Sequence, residues 1–173
     1  ITNLNKELST KQKKEQTMNL TQEITQAWAT WSGIAEPGDK WAGILRNWMG
    51  PIASLEWVKR PYEPLLPVFK TDWKQDHFKW QEKLQNFDLK SEMNKLEAIG
   101  GHLLTPNSQG WPARLTERLG SNAPAALWAL GNGEISDYNV SIVGARAATN
   151  YGTAIATELA QELTENGIQV VSG

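Results

Sequence analysis

The chain has 173 residues, 40% of them apolar and 21% charged, enough for a real core in one ordinary domain or two small ones. A net charge of -2 gives no overall basic signature, so any nucleic-acid role must rest on a local site. Cysteine is absent, which excludes disulfides, thiolate nucleophiles and cysteine-containing zinc sites, and His77 and His102 are too few for a histidine-rich metal centre. No apolar run approaches the roughly 18 residues that span a bilayer, and the N-terminus lacks a signal-peptide core. The expectation is a cytoplasmic protein with no membrane partner and no metal.

Residues 1–17 are polar and lysine-rich, with Lys6, Lys11, Lys13 and Lys14 and no sustained apolar face. That composition predicts a disordered, solvated tail. Met18 opens the first organised segment and competes with Ile1 as the true start. From Leu20 the spacing is helical, with Ile24, Trp28 and Trp31 on one face, Thr21 or Asn19 as the N-cap and Gly33 as the stop. After the turn Glu36-Pro37-Gly38-Asp39, Asp39 caps a second helix whose apolar face is Trp41, Ile44, Leu45, Trp48 and Met49. Gly50-Pro51 ends it and begins a third helix carrying Ile52, Leu55 and Val58. Residues 18–60 therefore read as a small helical domain.

Residues 61–100 read as a helical connecting region. Pro61, Pro64 and Pro67 punctuate its start, and from about Asp72 a stripe of Trp73, His77, Trp80, Leu84 and Phe87 indicates a helix. The stripe changes phase near Asp88 and continues through Leu89, Met93, Leu96 and Ile99 to Gly100-Gly101, which fits two helices or one kinked helix equally. His77 lies on the apolar stripe and reads as a core histidine. His102 has no partner at metal-site spacing. Most of the nine tryptophans also fall on apolar stripes and read as core rather than as base-stacking platforms.

After Gly101 the period changes to short apolar runs broken by turn residues. His102-Leu-Leu-Thr105 and Ala125-Ala-Leu-Trp-Ala-Leu130 are strand-sized, bounded by Pro106-Asn107 and Gly131-Asn132-Gly133, with a short helix over residues 112–119 between them. A strand at 140–143, a helix at 151–166 and a strand at 168–171 complete the order β, α, β, β, α, β. One α/β layer is therefore expected over residues 101–173.

The last part of that layer carries the most chemistry. Ser141-Ile-Val143 reads as a buried strand, Gly144 as a turn with dihedrals other residues avoid, and Ile155, Leu159 and Leu163 with Ala156 and Ala160 as the helix face against the sheet. Gly152 would allow close helix approach, and Asn166-Gly167 is a C-cap. Open parallel sheets bind ligands at the carboxyl ends of their strands, and both such loops here start at a glycine, Gly144 and Gly173. A helix start offers unpaired N–H groups and a positive dipole end to an anion. Arg146 sits in that turn and is the sole lysine or arginine from Val140 to Gly173, whereas Glu158, Glu162 and Glu165 lie on the outer helix face. Its planar fork of donors suits phosphate. Two readings stay open from spacing alone: anion binding, or Arg146 pairing with a carboxylate or covering a helix end. The run is neither G-x-G-x-x-G nor a P-loop, so neither NAD nor ATP is indicated and no cofactor is expected.

Three ordered blocks nevertheless resemble one family. Ile142-Val-Gly-Ala-Arg-Ala-Ala-Thr-Asn-Tyr-Gly152, a helix and Val170-Val-Ser-Gly173 are similar to the DNA-processing protein A family, DprA or Smf. Leu104-Thr-Pro-Asn-Ser-Gln-Gly-Trp-Pro-Ala-Arg-Leu115, with Pro124-Ala-Ala-Leu-Trp128 and Gly131, resembles the segment before that motif. The block from Trp28 to Val58, with Gly33-Ile-Ala-Glu-Pro-Gly38 and Gly50-Pro51, resembles the family's N-terminal helical domain.

The resemblance implies an α/β fold: a helical, SAM-like domain followed by the first part of a Rossmann-like parallel-sheet domain. It implies a non-enzymatic role, in which the protein binds and shields incoming single-stranded DNA and loads the RecA recombinase during natural transformation and recombination, as a homodimer. DNA phosphates would be held by Gly144, Ala145 and Arg146, with Thr149, Gly152, Ser172 and Gly173 around them. Ala145 stands where the family often has serine, removing one hydroxyl. The family continues past its Ser-Gly with a glycine-rich turn and Gly-Ile-Asp, so the resemblance implies an N-terminal fragment with poor independent stability. An alternative is a nucleotide phosphoribohydrolase resembling the LOG family, whose Pro-Gly-Gly-x-Gly-Thr motif and catalytic glutamate would lie downstream of Gly173; the helical domain and the Trp111-Pro112 block argue against it. A third reading makes the helical half an interaction module, because Lys40, Arg46, Lys59 and Arg60 are scattered rather than gathered on a basic face.

Overall fold

Helix formation outlasts the apolar pattern at the N-terminus. Helix α1 spans Thr2–Ile34, which corrects the expectation of a disordered tail over residues 1–17. Neither glycine nor proline occurs before Gly33, and once the buried half around Ala27, Trp31 and Ile34 fixes the helix, each added Leu, Lys, Gln or Glu gains a backbone hydrogen bond at little cost. Residues 11–20 stay exposed. Gly33 lies inside the last turn instead of ending the helix, and a Cβ there would overlap the Phe87 ring. This computed structural model describes residues 2–65, 73–131, 135–136 and 138–173, with side chains from residue 11 onward.

Local capping sets the next helices. Asp39 accepts a hydrogen bond from the Ala42 N–H at 3.1 Å and starts α2 (Lys40–Met49); Gly50, at φ 80°, turns the chain into α3 (Pro51–Lys59). Pro67 and the helix start placed at Asp72 lie outside the described residues; α4 runs Lys74–Asn86. Phe87 is extended and Asp88 caps α5 (Leu89–Ala98), so the phase change marks two helices. Trp31, Ile34, Leu45, Val58 and Trp80 form a fully buried core, with Trp31 edge-on to Trp80 at 5.5 Å. Buried His77 donates from Nε2 to the Trp57 carbonyl at 3.3 Å and lies edge-on to the Trp57 and Tyr62 rings, a core histidine as the stripe indicated.

Strand β1 (Gly101–Leu104) pairs antiparallel with β2 (Leu127–Leu130), Gly101 opposite Leu130 and Leu104 opposite Leu127. Between them lie α6 (Ala113–Leu119) and a 3-10 turn, Gly120–Asn122. This pair is tied to the helices. Arg46 is buried, donates to the Ala123 carbonyl at 3.3 Å and lies over Trp28 and Trp31 at 5.9 and 5.5 Å. The Trp28 indole donates to Asn107 at 2.8 Å and that of Trp128 to Ser32 at 2.9 Å.

The chain accordingly divides into Ile1–Gly131 and Asn132–Gly173. The strands over residues 101–173 form two separate two-stranded sheets, and contacts from Arg46, Trp28 and Ser32 tie the β1–β2 segment to the helices. The second unit holds β3 (Asn139–Ser141), α7 (Asn150–Glu165) and β4 (Gln169–Val171), with β3 and β4 parallel. The Gly131-Asn132-Gly133 turn falls partly outside the described residues. The fold is a mixture of helices and small sheets.

Candidate anion-binding loop

In the second unit the strand-helix-strand order brings two strand ends together. Asn139 is opposite Gln169 and Ser141 opposite Val171, and the Ile142 N–H extends the ladder to the Val171 carbonyl at 2.9 Å. The Ser172 hydroxyl then donates to the Ile142 carbonyl at 3.0 Å. The loop after β3 and the Ser172-Gly173 step therefore leave the sheet at the same end, the carboxyl end of both strands. This is where open parallel sheets hold ligands.

Helix α7 begins beside that end. Thr149 is extended and its Oγ1 accepts from the Gly152 N–H at 3.1 Å, while the Thr153 N–H reaches the Thr149 carbonyl at 2.9 Å. Of the first N–H groups of the helix, those of Asn150 and Tyr151 have no partner among the described residues. The helix ends at Asn166, and Gly167 at φ 76° turns the chain into β4, the C-cap expected.

The sequence-derived site residues share this unit, with different roles. Gly144, Ala145 and Arg146 lie in the exposed loop between β3 and α7. Arg146 makes no ion pair or hydrogen bond among the described residues, so the pairing left open by spacing is not formed. Thr149 is occupied as the helix cap. The Ser172 hydroxyl donates to the Ile142 carbonyl, and Gly173 is exposed beside it.

Two conformational arguments are corrected. Gly144 is not in the left-handed region, and a Cβ there meets no atom within 4 Å, so the turn does not demand glycine. At Gly152 the nearest atom to a Cβ is Thr149 Oγ1, at 3.4 Å, so this glycine does not mediate approach to the sheet. The buried strand expected at Ser141-Ile-Val143 is also corrected, since Val143 is 83% exposed and Ile155 and Leu159 are each 44% exposed. One helix covers a two-stranded sheet only in part, and on α7 the half-buried residues are Ala156, Ala160 and Leu163. The unpaired N–H groups expected at this helix start are those of Asn150 and Tyr151, and a threonine just before a helical pattern was the signal that could have named them.

No group of three or more potential metal-binding side chains occurs among the described residues, and no described helix is long and apolar enough to cross a membrane. Residues 102–173 match the family described as DNA recombination-mediator protein A. The chain is 31% identical over 166 residues to a protein named DNA processing protein DprA from Mycobacterium tuberculosis strain H37Rv. It matches the protein of that name from strain CDC 1551 / Oshkosh equally well. The alignment takes in 85% of this chain and 39% of each relative, so the chain spans about two-fifths of their length. No solved structure matches it. With the matched segment running through the strand, the arginine loop and the capped helix, and the likeness to the relatives extending over most of the chain, the protein belongs to the DprA family of DNA recombination mediators.

Proposed function

We propose that this protein binds single-stranded DNA through the β3–α7 loop and does not itself catalyse a reaction. Arg146 carries the reading: an exposed guanidinium with no carboxylate partner among the described residues, in the loop leading to a capped helix start whose Asn150 and Tyr151 N–H groups are unused. A phosphate there would meet a fork of charged donors, backbone N–H groups and the positive end of α7. Family membership supplies the ligand class. In the family's manner the protein would shield incoming strands in the cytoplasm and load RecA during transformation and recombination, acting as a homodimer. On this reading residues 18–60 are a SAM-like domain and the second unit is the opening βαβ of a Rossmann-like domain.

The test is a titration of labelled oligo(dT) at several salt concentrations. Arg146→Ala should weaken binding about tenfold and flatten the salt dependence by about 0.7 in log-log slope, the release expected for one single-strand phosphate contact. Arg146→Lys should keep the slope with lower affinity, because an ammonium lacks the planar fork. Unchanged affinity and slope in Arg146→Ala would remove this loop from the site. Release of free base from nucleoside monophosphates would favour the phosphoribohydrolase alternative.

A further inference from the structure

The first unit carries a groove that the DNA reading does not use, and we infer that it receives an acidic, amphipathic helix of a partner protein. The groove encloses about 980 Å³ between α1 and α5. Lys14 and Met18 line it from α1, Leu89, Lys90 and Met93 from α5, and Leu103 from β1. Its α1 wall extends from Lys14 to Ala29, a rise of about 22 Å at 1.5 Å per residue, or roughly four turns. A partner helix of that length would find a matching trough.

The lining chooses the chemistry. Met18 is 64% exposed, and methionines at a groove adapt to helical partners that present apolar residues at i, i+3, i+4 and i+7. Lys14 and Lys90 are the charged residues lining the groove, with no acid among the lining residues. An occupant bearing carboxylates beside its apolar face complements that field. No aromatic residue lines the groove, so it lacks the stacking platforms with which proteins hold single-stranded bases. That weighs for a protein helix over nucleic acid.

The probe is a labelled peptide of about sixteen residues, with leucines at i, i+3, i+4 and i+7 spacing and glutamates elsewhere, titrated into the full chain. A companion peptide carries lysines in place of the glutamates. The glutamate peptide should bind at least about tenfold more tightly than the lysine peptide, and Met18→Glu or Met93→Glu should each weaken it about tenfold. Lys14→Glu combined with Lys90→Glu should reverse the preference. Met18 and both lysines are exposed and Met93 is half-buried; circular dichroism checks that each variant keeps its fold. No binding, equal affinity for the two peptides, or indifference to Met18→Glu and Met93→Glu overturns the proposal. Displacement of the peptide by oligo(dT) would assign the groove to nucleic acid, and self-association abolished by Met18→Glu would assign it to a second copy; either overturns it too.

Discussion

Asp39 joins two helices through one carboxylate. Its Oδ1 accepts from the Ala42 N–H at 3.1 Å, and its Oδ2 accepts from the Trp80 indole at 3.0 Å with the Lys79 ammonium 3.4 Å away. Burial pushes its pKa up, but the hydrogen bonds from Ala42 and Trp80 and the charge of Lys79 outweigh burial and hold it below the usual carboxylate range. A pKa lowered by folding stabilises the native state at pH values above the unfolded pKa, near 3.9, and that contribution disappears as pH falls through the folded value. Asp39→Ala should therefore cost about 2 kcal/mol at pH 7, from the lost cap and the orphaned indole. The gap from wild type, read by urea unfolding, should narrow as pH drops below about 4; a gap undiminished at low pH would show that the ionised carboxylate is not the source. The cap was legible, because an aspartate after Pro-Gly and before an apolar stripe is a local signal. The Trp80 contact was not, since 41 positions separate the two residues.

At the scale of elements, the same contrast explains which glycines matter. Gly43 lies on α2 against the 3-10 turn Gly120–Asn122, and a Cβ there would overlap the Ser121 carbonyl, a backbone atom that cannot swing aside. Gly43→Ala should destabilise the protein by about 1–3 kcal/mol, as overpacking does. Gly144→Ala should stay within about 0.5 kcal/mol, because its φ is not left-handed and its side chain enters open space. Melting temperatures of the two variants check the pair, and a cost at Gly144 as large as that at Gly43 would contradict the loop geometry. From sequence the emphasis was reversed: Gly144 follows an apolar run and looks like a turn, while Gly43 sits unremarked inside a helical pattern. A glycine needed for another element's approach depends on a contact 78 positions away, which no local pattern encodes. The strands behave likewise: their approximate positions were legible, but not that β1 and β2 pair antiparallel beside the helices while β3 and β4 pair parallel elsewhere.

At the scale of the whole molecule, the two units differ in what they bury. Every buried residue among the described ones belongs to the first unit, as do all nine tryptophans. In the second unit the βαβ order was legible from local pattern, yet Val143, Ile155 and Leu159 remain substantially exposed. Apolar runs reveal that a segment suits burial; they do not reveal which layer covers it. Backbone hydrogen bonds with little apolar cover open at low cost, so stability should be unevenly distributed along the chain. In hydrogen exchange on the full chain, amides of residues 155–163 in α7 should exchange at least about a hundredfold faster than those of residues 31–34 in α1, a difference of roughly 2.7 kcal/mol in opening free energy. Mass spectrometry of the exchanged peptides resolves the two segments, and equal protection would mean that α7 opens only with the helical core.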